Sequence, residues 1–132
     1  MVKELLKQVY VYRLSVPTAF KRENIETLEA VYNGIGPEHW NHLLRGIITA
    51  LFLLFAPAAL VHDYEFSVLP KNYKHFTQAN CRLAYNCIRL ALFGKLRFFK
   101  NTLHSRLKLA GLGLLLAILC QLFGQKSYNN KS

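Results

Sequence analysis

Apolar side chains recur at helical spacing over residues 73–93. Phe76, Leu83, Cys87 and Ala91, with Asn80 in line among them, fall at steps of four, three, four and four. That spacing draws one face of a helix, and Arg82 and Arg89 lie off it. Gly94 closes the element. A shorter version occupies 22–31, where Glu23 and Glu26 suit a first turn and Ile25, Leu28 and Val31 share a face. Gly34, Gly36 and Pro37 then break the chain. Residues 8–16 are rich in β-branched and aromatic types and read as a short strand, or as the continuation of a helix from Val2; Pro17 stops either. A polar first turn opens a helix over 38–55. Pro57, which suits the start of a helix, predicts a second one over 57–66, meeting the first at Ala56-Pro57. The final helix is expected over 109–123, after a loop at 67–72 and a basic, aromatic segment at 95–100.

Two of these runs raise the question of a membrane. From Gly46 to Val61 there is no charged residue, and from Leu109 to Cys120 there is again none. Each is shorter than the roughly 20 residues needed to span a bilayer as a helix. A buried core pair and a membrane-inserted hairpin both fit the first run. Gly111 and Gly113 in the second permit close helix packing. The segment Lys95-Leu96-Arg97-Phe98-Phe99-Lys100 suits a membrane interface or a solvated linker.

Composition sharpens this picture. The chain has 132 residues, 52% of them hydrophobic, and a net charge of +10. That length carries one core, so a single domain over 1–132 is expected. Its parts are an N-terminal strand or helix (1–30), a core (31–93), a basic segment with an apolar helix (94–124) and a frayed tail (125–132). No acidic residue follows Glu65. The half beyond it carries Lys71, Lys74, Arg82, Arg89, Lys95, Arg97, Lys100, Arg106 and Lys108, a surface for an anionic partner. Apolar runs between those charges favour an anionic phospholipid membrane, and no motif for specific nucleic-acid recognition is present. Cys81, Cys87 and Cys120 are odd in number and in no metal-ligand spacing, which fits buried thiols better than a disulfide framework. The start carries charge with no apolar stretch behind it, unlike a secretory signal.

The candidate chemistry centres on His62-Asp63. A neutral histidine can take a proton from water near neutral pH. The adjacent aspartate points about 100° away on a helix, so the two serve different tasks. Asp63 is suited to ligate a hard cation, whose usual ligands are carboxylate and carbonyl oxygens. A loop with alternating glycines, Tyr32-Asn33-Gly34-Ile35-Gly36, can turn its carbonyls inward at one point. Water activated by His62 beside such a cation makes a hydrolytic site. The competing reading is structural: a His-Asp pair at the end of an apolar helix, two turn glycines, and a satisfied buried amide at Asn80.

The Tyr-x-Gly-x-Gly loop, the stretch Ala58-Ala59-Leu60-Val61-His62-Asp63 with Phe66 four residues after the histidine, and Ala79-Asn80-Cys81-Arg82-Leu83 together resemble the phospholipase A2 family. The likeness is to its parvovirus-capsid and phage-encoded members and covers residues 31–92. It implies a mainly α fold with a phospholipase A2-like antiparallel helix pair, 57–66 and 73–93, plus apolar helices that dock on a membrane or cover the core. It implies His62 as general base, oriented by Asn80. It implies calcium held by Asp63 and the backbone carbonyls of Tyr32, Gly34 and Gly36. Asn80 stands where the family has aspartate, Phe66 where it has tyrosine, and the disulfides of secreted members are missing. The expected function is a calcium-dependent phospholipid hydrolase, weakened by Asn80. The alternatives are a non-catalytic, membrane-associated accessory or lysis protein of phage type and, below it, a basic virion protein associated with nucleic acid.

Overall fold

The structure is a computed structural model and describes residues 2–32, 42–68, 72–96 and 99–123. Its elements are α1 (Val2–Val11), a 3-10 turn (Thr18–Arg22), α2 (Ile25–Val31), α3 (His42–Val68), α4 (Tyr73–Phe93) and α5 (Leu103–Phe123), with no strand among the described residues. The chain is mainly α, as its periodicity predicts.

The ambiguity over residues 8–16 resolves in favour of helix up to Val11. Val2, Leu5 and Val9 are buried at helical spacing. The helix then closes by a turn in which Leu14 N–H donates to the Val9 carbonyl and Arg13 takes φ 54°, a left-handed conformation that glycine usually fills at this position. Asn24 caps α2 through Thr27 N–H at 2.9 Å, and Asn72 caps α4 through His75 N–H at 2.9 Å.

Two expectations are corrected. The first concerns Pro57. Residues 42–68 form one continuous helix with Pro57 inside it, where two helices meeting at Ala56-Pro57 were expected. Proline's fixed φ is already helical, and its missing N–H removes only the bond to the Leu53 carbonyl, at a residue 46% exposed. Side chains 54–66 are buried on every side of α3, which marks a central core helix. The second concerns α5, which starts at Leu103 and not at Leu109. Thr102 caps it through Ser105 N–H at 3.1 Å, and Arg106 and Lys108 fall within its first two turns.

α3 is the element that α1, α2 and α4 share. α1 and α2 pack on it, and α4 packs between α3 and α5. The predicted stripe on α4 is buried throughout, from Phe76 to Ala91, Asn80 included. Small residues line the seam of α5 on α4: Gly113 and Ala117 are buried. Much of the remaining surface of α5 is apolar and open to solvent, including Leu107, Leu115, Ile118 and Leu122. Among the described residues α5 alone is long and apolar enough to cross a bilayer, with 17% of its Leu103–Leu122 window buried. Core helices of soluble proteins meet the same criterion, so this is weak evidence of membrane association. Leu96 and Phe99 pack against the core, which ties the basic, aromatic segment to the fold.

Candidate functional site

α3 and α4 run antiparallel where they meet, because His62 and Phe66 on α3 face Asn80 and Phe76 on α4 in reverse order. That geometry brings two of the predicted residues together. His62 Nε2 lies 2.8 Å from Asn80 Oδ1, inside the protein. The imidazole is 9% exposed and Asn80 3%. Phe66, one helical turn beyond His62, tilts its ring against the imidazole at 4.1 Å between centroids, and Phe66, Phe76 and Ala79 form an apolar patch beneath it. Low exposure and a fixed partner hold the ring in one orientation.

Asp63 is also 9% exposed. Burial pushes the Tyr32 phenol above its ordinary value, and the negative charge of Asp63 pushes it further. The same charge acts on the Cys120 thiol, again second to burial. The charge of Asp63 is thus felt at Tyr32, which follows α2, and at Cys120 in the C-terminal part of α5. Gly34 and Gly36 lie outside the described residues, so of the expected calcium-binding set the structure places Tyr32 and Asp63. Among the described residues no group of three or more His, Cys, Asp or Glu could hold a metal. A single carboxylate completed by backbone carbonyls is a different donor set, and it suits a hard cation.

Two features of the site went unread in the sequence. Gln121, on α5, accepts a hydrogen bond from Asn80 Nδ2 at 2.8 Å and donates from Nε2 to Thr77 Oγ1 at 3.1 Å and to the Tyr73 hydroxyl at 3.3 Å. The one available signal was a lone amide at the end of an apolar helix. Glu65 is the other. It is 2% exposed; its Oε2 accepts from Arg82 at 2.7 Å, and its Oε1 has no hydrogen-bond partner among the described residues. Burial raises its carboxyl from 4.5 to about 7, against the lowering effect of Arg82.

Three cations expected to face an anionic partner are engaged internally. Arg82 holds Glu65 and Ser15 Oγ. Arg89 donates to the Tyr12 carbonyl and lies over the Phe93 ring. Arg106 donates to the carbonyls of Ala91 and Gly94, at the C-terminal end of α4. Lys74, Lys95, Lys100 and Lys108 are exposed. Lys71 and Arg97 lie outside the described residues. The cysteines are unpaired, with Cys81 exposed and Cys87 buried; burial pushes the Cys87 thiol up to about 12, which keeps it protonated and inert. No protein family, curated protein or solved structure matches this chain.

Proposed function

We propose that the protein is a calcium-dependent, phospholipase A2-like hydrolase that cleaves ester bonds of membrane phospholipid, with a site weakened by the amide at position 80. The observation that carries this reading is the buried His62–Asn80 pair at 2.8 Å, with the charge of Asp63 felt at Tyr32, two residues before Gly34. With Nε2 bonded to Asn80, the Nδ1 lone pair of His62 takes a proton from water. The water oxygen then attacks the ester carbonyl, and the same proton passes to the departing alkoxide, leaving a fatty acid and a lysophospholipid. Asn80 orients the ring but cannot balance the charge of the imidazolium as a carboxylate does. In a serine-protease triad the corresponding change costs about 10⁴ in rate. Asp63, with the backbone carbonyls of Tyr32, Gly34 and Gly36, would hold calcium, which supplies positive charge for the developing oxyanion when bound. The exposed apolar face of α5 and the exposed Lys74, Lys95, Lys100 and Lys108 suit an anionic lipid surface.

The test is calcium-dependent release of fatty acid from anionic vesicles by the wild type, His62→Ala and Asn80→Asp. The reading expects release that His62→Ala abolishes and Asn80→Asp increases. Absence of release in all three, with vesicle binding retained, supports the second reading, a non-catalytic membrane accessory, which the 20-residue apolar stretch of α5 favours.

A further inference from the structure

We propose that Gln121, delivered by α5, is a positioning residue for His62: it fixes the imidazole in the tautomer with hydrogen on Nε2. The inference starts from three side chains in series. Primary amides have one end that donates and one that accepts, so each passes a hydrogen-bond polarity to the next group. Gln121 points its Nε2 at the hydroxyls of Thr77 and Tyr73. Its Oε1 faces Asn80 and accepts from Nδ2 at 2.8 Å. That bond turns the Asn80 Oδ1 toward His62. Facing a carbonyl oxygen at 2.8 Å, the ring nitrogen must donate. Nε2 carries the hydrogen, and Nδ1 carries the lone pair.

The register of α4 makes this series possible. Tyr73, Thr77 and Asn80 are spaced by four and three residues and so lie on one face of the helix. One glutamine from the antiparallel α5 reaches all three. Without Gln121, nothing in the series holds Asn80 against rotation by 180° about its terminal bond. In the rotated state Nδ2 faces the imidazole, Nε2 must accept, and the hydrogen moves to Nδ1, the nitrogen that serves as the base. The catalytic meaning of this arrangement rests on the hydrolase reading above; the tautomeric meaning does not.

The two are separated by reading the ring itself. The ¹⁵N shifts of the two ring nitrogens of His62, recorded on the full-length protein without substrate, distinguish the tautomers. The wild type and Gln121→Glu, which keeps an acceptor toward Asn80, are expected to show the Nε2–H form as the dominant species. Gln121→Leu is expected to show both forms. Gln121→Lys, which presents only donors to Asn80, is expected to shift the ring to the Nδ1–H form. The ring of His104, at the other end of α5, reports whether the helix itself has been disturbed and is expected to stay unchanged. If the protein also releases fatty acid, Gln121→Leu lowers kcat in proportion to the lost Nε2–H population and leaves KM in place. Wild-type tautomer populations in both Gln121→Leu and Gln121→Lys overturn the proposal. A protein that releases no fatty acid but changes tautomer as described overturns the hydrolase reading alone.

Discussion

The packing of α5 predicts opposite effects for the same substitution two residues apart. A Cβ placed on Gly113 would lie 2.6 Å from the Cys87 Cβ and 3.3 Å from the tip of the Phe55 ring, whereas one placed on Gly111 meets nothing within 4 Å. Carbon atoms pack at about 3.5–4.0 Å, so Gly113→Ala forces about 1 Å of separation at the point where α5, α4 and α3 meet. Cys87 is fully buried and has no free end to swing aside. Overpacking of this kind costs about 1–3 kcal/mol, and replacing a helical glycine by alanine returns about 1 kcal/mol. Gly113→Ala should therefore be destabilised by about 0–2 kcal/mol, and Gly111→Ala stabilised by about 1 kcal/mol. At about 4 °C per kcal/mol for a chain of this size, the midpoints should differ by about 4–12 °C. Thermal unfolding followed by far-UV circular dichroism, in one buffer for both variants, measures the gap. Equal midpoints, or a more stable Gly113→Ala, would refute the close seam and with it the placement of Gln121 against Asn80.

Further outcomes follow from other features. Because Glu65 titrates at about 7 in the folded chain and at 4.5 when unperturbed, the folded state binds the extra proton between those values and loses stability as pH rises through them. The span corresponds to about 3 kcal/mol, and Glu65→Gln should flatten the pH dependence of denaturant midpoints by that order; an unchanged slope would show that Glu65 is already ionised. Arg13→Gly should raise stability by about 1 kcal/mol in chemical denaturation, since φ 54° is a strained conformation for arginine; a loss would show that the arginine side chain contributes more than its backbone costs. Leu115→Ser with Ile118→Ser, both on the exposed side of α5, should weaken co-sedimentation with anionic vesicles by at least about tenfold on apolar transfer grounds while leaving the folded helix content intact. Equal binding would move lipid contact to another surface.

What could be read from the chain, and what could not, divides along physical lines. The α4 stripe was legible because one face of that helix is buried along its whole length, and burial writes itself into the local spacing. His62 and Asn80 could be paired because the stretches that carry them resemble a known pair of helices; α3 itself, buried on every side, offered no face to read. Pro57 misled because proline is read as a local break, and the cost it carries depends on which side of the helix loses a bond. Arg82, Arg89 and Arg106 looked like free surface charge because their partners, Glu65, the Tyr12 carbonyl and the end of α4, lie far away in sequence or are backbone atoms. Gln121 was silent for the same reason: an amide announces nothing until its neighbours are known.

The α4–α5 hairpin is clamped at both ends, by Arg106 on the carbonyls of Ala91 and Gly94 and by Gln121 on Asn80, Thr77 and Tyr73. Between these clamps the buried positions are Leu109, Gly113 and Ala117, two of them too small to key the helix against rolling about its own axis. The clamps supply the missing rotational register: a roll of one residue, about 100°, carries both side chains away from their partners together. α5 is thus built to leave α4 as one body or not at all, and its amides should exchange with solvent hydrogen in a single cooperative event, not by gradual fraying from one end.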